Sequence, residues 1–197
     1  MSTSNFLNLL CSAGQVIPAP RTPEDFKYAI TKTDSASIIL LFGDIIMLPD
    51  LLAQAQAYRK RLLVHLDLLE GIGKDEAGIR FLARLGVTGL ITTKSHLCKI
   101  GREEGMLVIQ RLFLLDSDAL KTGLHLLRKF QPDALEVLPA SIPASVVRLL
   151  AEETQLPILA GGLMHTPEDV QQSLQNGIYA VSASKRELWN TVYTLQK

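Results

Sequence analysis

The sequence lacks the features that direct a chain to export, to a membrane or to nucleic acid. No apolar run is long enough to cross a bilayer, and the opening segment MSTSNFLNLLCSAG has no positive region ahead of its apolar stretch. The 20 acidic residues cancel the 20 basic residues, so no overall positive field attracts a polyanion. These absences predict a cytoplasmic protein in which any anion site is a local patch.

Cysteine, aromatic and histidine residues are also sparse. Cys11 and Cys98 lie far apart and match no metal or redox spacing, so we expect buried or incidental thiols. Aromatic residues make up 6% of the chain, too few for a recognisable platform on which bases stack. His96, His125 and His165 have no metal-ligand spacing, and we therefore predict no catalytic metal.

Apolar residues, by contrast, make up 47% of the 197 residues. That fraction supplies a substantial core, and the length suits a single domain over residues 1–197. Eight short runs rich in Val, Ile and Leu are mostly continuous, as in parallel strands buried on both faces. The predicted strands are Val16 to Ala19, Ser37 to Phe42, Leu62 to Leu68, Gly89 to Thr92, Leu107 to Leu114, Ala134 to Leu138, Leu156 to Ala160 and Ala180 to Ala183.

Helix start signals lie between these runs. Thr22-Pro23-Glu24-Asp25 and Thr166-Pro167-Glu168-Asp169 each combine a Thr cap, a first-turn Pro and acids. Asp116-Ser117-Asp118 and Ser141-Ile142-Pro143 precede the fifth and sixth predicted helices. Strand-helix alternation leaves an open doubly wound sheet or a closed barrel. Eight units without a glycine-rich dinucleotide fingerprint favour an α/β fold, a small TIM-type (β/α)8 barrel with some helices short or missing.

The loops that follow the strands of such a barrel form its working face. The sharpest signal is Ala160-Gly161-Gly162-Leu163 after the seventh strand, with Ser182-Ala183-Ser184 after the eighth. Barrels commonly bind phosphate at these two loops, where small residues and a helix N-terminus approach the anion. We predict a phosphate site here. The alternative is that the glycines only permit a tight turn.

Two carboxylates interrupt apolar strands. Asp67 and Glu136 should be paired with Lys94 or Arg111, bonded to ligand hydroxyls, or active as acid or base. His65 lies two residues before Asp67, and we expect a core histidine whose nitrogens are satisfied.

Other polar residues lie in or after the central strands. Gln110 and Arg111 are costly to bury alone and imply a ligand or an acidic partner. Lys94 is either an ammonium that faces an anionic ligand or a solvated lysine at a helix start. Basic residues gather at Arg59-Lys60-Arg61, at Lys99 with Arg102, and at Arg128-Lys129, where they either contact RNA phosphates or are solvated helix ends.

A set of short segments extends over nearly the whole chain, from Ile17-Pro18-Ala19 to Leu188-Trp189. They are Val64-His65-Leu66-Asp67-Leu68, Gly71-Ile72, Asp75-Glu76, Thr92-Thr93-Lys94-Ser95, Gln110-Arg111-Leu112-Phe113, Leu115-Asp116-Ser117, Pro132-Asp133, Glu136-Val137-Leu138-Pro139 and Ala160-Gly161-Gly162. In this order and spacing they resemble the glycerol-3-phosphate-responsive antiterminator family. Pro20 and Ala140 depart from its pattern at two strand exits, and the change at Ala140 bears on ligand selectivity.

The resemblance implies a barrel regulator without catalysis and without a cofactor. It would sense glycerol 3-phosphate as effector and bind the leader mRNA of glycerol-utilisation genes, stabilising it against a terminator hairpin. Joined to the residues above, it places the phosphate at Gly161, Gly162, Ser182 and Ser184. The glycerol hydroxyls then fall to Asp67, Glu136, Lys94 and Gln110, with Arg111 balancing the acids. The loop Leu69 to Lys74, with Glu70, is the candidate for ordering by ligand, and Lys99, Arg102, Arg128 and Lys129 are the candidate RNA contacts.

Two alternatives use the same barrel. One is a lyase or isomerase of a small phosphorylated substrate that uses Lys94 with Asp67 or Glu136. The other is a barrel that binds a metabolite and then a protein partner, which would show an exposed apolar patch instead of clustered Lys and Arg.

Overall fold

The computed structural model describes Leu10, residues 16–191 and Tyr193, and in these residues strands and helices alternate. The strands are β1 (Val16–Pro18), β2 (Ser37–Leu40), β3 (Arg61–His65), β4 (Gly89–Thr92), β5 (Leu107–Phe113), β6 (Ala134–Leu138), β7 (Ile158–Gly161) and β8 (Ala180–Ala183). The α-helices are α1 (Pro23–Lys32), α2 (Leu48–Ala57), α3 (Glu76–Arg84), α4 (His96–Glu103), α5 (Ser117–Phe130), α6 (Ala144–Thr154) and α7 (Pro167–Gln175).

The strands form one parallel sheet that is nearly closed. Their order is β1-β8-β7-β6-β5-β4-β3-β2. At the seam between β1 and β2, the N–H of Leu41 donates to the carbonyl of Pro20 over 3.2 Å. The predicted TIM-type barrel is confirmed. In the described part of the chain a 3-10 turn at Arg186–Leu188 stands after β8 in place of an α-helix.

All eight predicted strands are present, and β4, β6 and β8 have the predicted bounds. The largest difference is at β3, which ends at His65 because Leu66–Leu68 form a 3-10 turn. The apolar character of these three residues reflects burial of Leu66 and does not reflect extended backbone. Periodicity alone does not separate the two in so short a run.

The helix starts follow their predicted caps with one exception. The side chains of Thr22, Asp116 and Thr166 each accept an N–H from the first turn of their helix. Ser141 does not cap α6, because that helix begins after Pro143, which has extended backbone and no side-chain cap bond. Local cap chemistry therefore positions most, but not all, of the helices.

Buried side chains fill both faces of the sheet. Alternate strand residues pack inside the barrel, and the other residues pack against the helices. Burial on both sides explains the continuous apolar runs of the sequence. The inward-facing residues include Ile17, Ile39, Leu63, Ile91, Ile109 and Leu159.

The structure bears only in part on the predictions about membrane spans, cysteines and a catalytic metal. None of the described helices combines the length and apolar character needed to cross a membrane. Cys98 is a buried free thiol, and burial raises its pKa from 9.0 to about 12, whereas Cys11 lies outside the described residues. Within residues 16–191, no cluster of three His, Cys, Asp or Glu side chains is arranged as a metal site. The absence of a catalytic metal stays a prediction.

Candidate functional site

A cavity of about 220 Å³ opens where β1, β7 and β8 end. The loops after β7 and β8 form most of its wall, which is where the sequence predicts a phosphate site. Barrel enzymes and binding proteins hold phosphate at this same pair of loops. Its polar lining residues are Arg21, Arg111, Gly162, His165, Ser182, Ser184 and Lys185.

The two adjacent glycines at the end of β7 have different structural roles. Gly162 has a φ of +76°, a conformation that L side chains rarely adopt, and it lies in the cavity wall. Gly161 instead lies against the barrel interior, where a Cβ would collide with Ser182 Oγ and approach Glu136 Oε1 to 3.1 Å. Gly162 therefore shapes the cavity, and Gly161 makes room for the polar group behind it.

That polar group is a buried ion pair. Glu136 is completely buried, and its Oε2 accepts from Arg111 Nε over 2.6 Å. Its Oε1 accepts from Ser182 Oγ over 2.5 Å. The terminal nitrogens of Arg111 have no hydrogen-bond partner in the part of the chain that is described, and Arg111 lines the cavity. The guanidinium is thus anchored by one nitrogen and offers further donors to a ligand.

Two cations at the mouth of the cavity were missed by the sequence analysis. Arg21 follows β1, and its Nε donates to Ser184 Oγ over 3.3 Å. Lys185 follows β8, and its Nζ donates to the carbonyl of His165 over 3.1 Å. The available signal was closure of the barrel, since the first and last strands are then neighbours. With Arg111, the described cavity lining holds three cations and no carboxylate, a balance that suits an anion.

The helix N-terminus contributes less to this site than predicted. The carboxylate of Asp169 accepts the backbone N–H groups of His165 and Thr166, both over 2.9 Å. These hydrogen bonds lower the pKa of Asp169. Since α7 already carries its own anion, this helix N-terminus has fewer N–H groups to offer a phosphate than the sequence predicts.

Asp67 joins the exits of β3 and β4 and does not line the cavity. Its carboxylate accepts the N–H of Thr93 over 2.6 Å and the hydroxyl of Thr92 over 3.2 Å. Lys94 is half-buried just beyond, and its N–H donates to Thr92 Oγ1 over 3.1 Å. The structure therefore places Asp67 close to Thr93 and Lys94 and away from the loops after β7 and β8.

Gln110 also lies away from the cavity. Its Oε1 accepts from Cys98 Sγ over 2.9 Å on α4, and its Nε2 donates to the carbonyl of Thr93 over 3.0 Å. Consecutive strand residues point to opposite faces, so Gln110 and Arg111 cannot both face the barrel interior. The amide of Gln110 is occupied by the protein itself.

The segment Leu69 to Lys74 is tied to the loop after β2 at its start. The N–H of Glu70 donates to the carbonyl of Gly43, and the N–H of Ile45 donates to the carbonyl of Glu70, both over 3.1 Å. The side chain of Glu70 is exposed, and Lys74 Nζ donates to the carbonyl of Asp67 over 2.5 Å. Backbone pairing thus holds this segment beside the exit of β3.

His65 differs from its predicted state. It is 2% exposed, and neither ring nitrogen has a hydrogen-bond partner within the described chain. The expected burial is present, but among the described residues the expected hydrogen bonds are not. Burial, followed by the charge of Arg111, lowers the pKa of His65 from 6.5 to about 4, with Asp67 partly opposing the shift. The imidazole is therefore neutral at pH 7.

The predicted RNA-contact residues lie on α4 and at the end of α5, near the N-terminal ends of the strands. A cavity of about 490 Å³ lies beside them, larger than the candidate site but remote from the loops where barrels bind ligands. Three of these four cations are paired with carboxylates, which lowers the net charge of the surface, and the fourth lies over an aromatic ring. The pairs are Lys99 with Glu103, Arg102 with Asp133, Arg128 with Glu153, and Lys129 with the ring of Phe130.

Large apolar side chains are exposed at the last residue of β5 and in the segments that follow β2, β3, β5 and β7. These positions are at the same end of the barrel as the 220 Å³ cavity. This exposure is the feature expected of a barrel with a protein partner. The residues are Ile46, Leu68, Phe113, Leu115 and Leu163.

Comparisons with known proteins point to one family. The family model for the glycerol-3-phosphate responsive antiterminator matches residues 16–189. A glycerol uptake operon antiterminator regulatory protein from Listeria monocytogenes str. 4b F2365 is 35% identical with a TM-score of 0.85. That similarity covers 90% of this chain and 96% of the other.

Two further relatives agree with this result. A glycerol uptake operon antiterminator-related protein from Thermotoga maritima MSB8 is 27% identical, with a TM-score of 0.80 over 90% of this chain and 99% of that one. The uncharacterized protein YgcP of Escherichia coli K12 is 30% identical over 88% of this chain and 91% of its own length. Aldolases and an epimerase at 10–12% identity share the fold alone. The chain belongs to the glycerol-3-phosphate responsive antiterminator family.

Proposed function

We propose that this chain binds glycerol 3-phosphate in the 220 Å³ cavity and, once occupied, binds the leader mRNA of glycerol-utilisation genes. The observation that carries the proposal is the convergence of cations and a glycine turn on one cavity in a member of this family. Binding to the leader would stabilise it against a terminator hairpin.

The phosphate would lie at the mouth of the cavity. Arg21 and Lys185 supply charge there, Ser184 supplies a hydroxyl, and the turn at Gly162 lets the anion approach the backbone. Arg111 adds donors from the inner side, where burial strengthens a charge-assisted hydrogen bond. Ser182 and Gly161 support this arrangement through Glu136.

The glycerol end would contact the inner wall. Glu136 does not itself line the cavity, but it lies directly behind Arg111 and Ser182, which do. It accepts one hydrogen bond at each oxygen, and an ionised carboxylate has room for about four, so it could accept a ligand hydroxyl if one of these side chains moved. Asp67, Lys94 and Gln110, which the sequence assigned to the hydroxyls, do not line the cavity. We therefore leave these three residues out of the proposed ligand set.

We propose a regulator without catalysis. A lyase or isomerase needs an acid or base within reach of the reacting carbon. The two candidate carboxylates are engaged, Glu136 by Arg111 and Ser182, and Asp67 by backbone and hydroxyl donors of β4. The similar aldolases support no activity, since they share the fold alone.

Ligand binding and RNA binding must be coupled through a conformation that the ligand favours. The segment Leu69 to Lys74 with Glu70 is our candidate for that ordering. The proposed RNA contacts are Lys99, Arg102, Arg128 and Lys129. To contact RNA phosphates, Lys99, Arg102 and Arg128 would have to exchange their carboxylate partners.

The test is a calorimetric titration of the protein with glycerol 3-phosphate, glycerol and inorganic phosphate in separate runs. Each run is repeated while binding of a glycerol-operon leader transcript is followed by fluorescence anisotropy. Selective ester binding with tighter RNA binding is the expected result. Ester binding without an RNA effect, together with turnover of the ester, would support the enzyme instead.

A protein partner is the second candidate, because apolar side chains such as Leu115 and Leu163 are 81% and 68% exposed near the site. Sedimentation velocity with and without glycerol 3-phosphate distinguishes an RNA-binding regulator from a barrel with a protein partner. A ligand-dependent change in assembly without RNA affinity would favour the protein partner.

A further inference from the structure

His65 is the polar group that neither the fold nor the proposed phosphate site explains. It is almost completely buried, and both ring nitrogens lack a hydrogen-bond partner among the described residues. An unsatisfied buried polar group lowers the stability of the fold, and such groups are rare in native proteins. A buried imidazole at that cost calls for a partner that the described residues do not provide.

The position of His65 shows where such a partner would lie. Leu63, two residues earlier on β3, belongs to the core inside the barrel. Because strand residues alternate, His65 faces the same interior, one step nearer the C-terminal ends of the strands. That end is where the candidate cavity opens.

One residue of the cavity wall adjoins His65. Leu40 pairs with Val64, so Leu41 and His65 follow that pair on adjacent strands. Leu41 lines the cavity together with Arg111, which lies two strands from His65 on β5. His65 therefore lies behind Leu41 in the inner wall of the cavity.

Across the seam of the barrel, the wall beside Leu41 leaves room. Ala19, on the inward side just after β1, lines the cavity with a single methyl group. The polar groups at the mouth, Arg21, Ser184 and Lys185, are exposed, whereas Arg111 and His65 are buried. The cavity thus has a charged outer end and an inner end of lower charge.

We propose that His65 is a ligand-binding residue that bonds a hydroxyl of a phosphorylated polyol whose phosphate is held at the mouth. This inference rests on the proposed function and deepens it. A neutral imidazole has one donor and one acceptor, and a hydroxyl matches either nitrogen. A second anionic group would match only the donor and would lie against Glu136. The site therefore selects a monophosphate with a hydroxylated, uncharged tail.

Contact requires that the side chain of Leu41 or Arg111 rotates when the ligand enters. Rotamer changes of this kind are common at binding sites even where the backbone does not move. Arg111 is anchored to Glu136 through Nε of a planar, rigid guanidinium, so the rotation falls to Leu41 and the ion pair is kept. The same movement would open His65 to the ligand.

The experiment titrates the wild-type protein, His65→Leu and His65→Gln with glycerol 3-phosphate and with inorganic phosphate at pH 7.5. His65→Leu should lower affinity for the ester by about tenfold, the loss of one buried hydrogen bond, and change phosphate affinity less than about twofold. His65→Gln retains a donor and an acceptor and should recover part of the ester affinity. Ile91→Leu, at the register partner of His65 on β4, is the packing control and should change neither affinity.

The possible failures are distinguishable. Unchanged ester affinity in His65→Leu overturns the role of His65 and leaves the proposed function standing. Equal losses of ester and phosphate affinity overturn it as well, because they indicate a disturbed site. A wild-type protein that binds no ester overturns the proposed function and this inference together.

Discussion

Gly162 and Gly105 have nearly the same backbone conformation, with φ of +76° and +77°, at opposite ends of the barrel. Asp tolerates this region better than most residues, so either position accepts it with modest strain. In Gly162→Asp the carboxylate enters the cavity beside the proposed phosphate. We expect ester affinity to fall by at least about tenfold, or 1.4 kcal/mol, in calorimetric titration.

Gly105→Asp is the matched control, since a Cβ there meets nothing within 4 Å. Its ester affinity should equal that of the wild-type protein. If Gly162→Asp also binds the ester normally, the anion site has been misplaced.

His65 makes a second prediction at the residue scale. Its pKa is 6.5 when unfolded and about 4 when folded, so acid favours the unfolded chain. The resulting stability is present above pH 6.5 and is lost as pH falls toward 4. Between pH 7 and pH 5, wild type should lose about 2 kcal/mol more unfolding free energy than His65→Leu.

The measurement is urea denaturation of both proteins at the two pH values. At pH 7 the Leu variant should be at least as stable as wild type, because it removes an unsatisfied buried group. If both proteins lose the same unfolding free energy between pH 7 and pH 5, His65 is accessible to solvent protons in the folded state.

At the scale of elements, one carboxylate links three strands. Glu136 on β6 holds Arg111 on β5 and Ser182 on β8. Removal of one partner from a buried ion pair leaves an unpaired charge, so Arg111→Met should lower the unfolding free energy by about 3–5 kcal/mol. The double variant Arg111→Met with Glu136→Leu should recover most of that loss.

A double-mutant cycle by chemical denaturation, with both single variants, measures this coupling, and calorimetric titration of the same proteins measures their affinity for the ester. We expect no ester binding by Arg111→Met or by the double variant, since both lack the guanidinium. A single variant as stable as the double variant would mean that water reaches Glu136 and replaces Arg111.

Element starts were largely predictable from local sequence. The caps at Thr22, Asp116 and Thr166 act over three residues, so their chemistry is visible in the sequence. The end of β3 was not predictable, because a buried apolar triplet fits a strand or a 3-10 turn equally well.

At the scale of the whole molecule, charge-reversal variants test the proposed RNA-binding surface. Lys99→Glu with Arg102→Glu should weaken binding of the leader transcript if these cations contact its phosphates. For two lost contacts, the plot of log affinity against log salt should become less steep by about 1.4.

Lys121→Glu is the control, since it lies in the first two turns of α5, whereas Arg128 lies in the last turn of that helix. It should leave the slope unchanged. An unchanged slope in the double variant would remove this surface from the RNA face, in line with the carboxylate partners of both cations.

The sequence alone determined the barrel class and the eight strands, and it predicted the two loops that we propose as the phosphate site, because apolar runs, caps and glycines act through near neighbours. Only the tertiary structure decided which polar residues meet. Closure of the barrel brings Arg21 beside Ser184, and strand alternation sends Gln110 to α4 and Arg111 to the cavity. It also leaves His65 without a hydrogen-bond partner among residues 16–191, since hydrogen bonding across a barrel depends on which strands face each other.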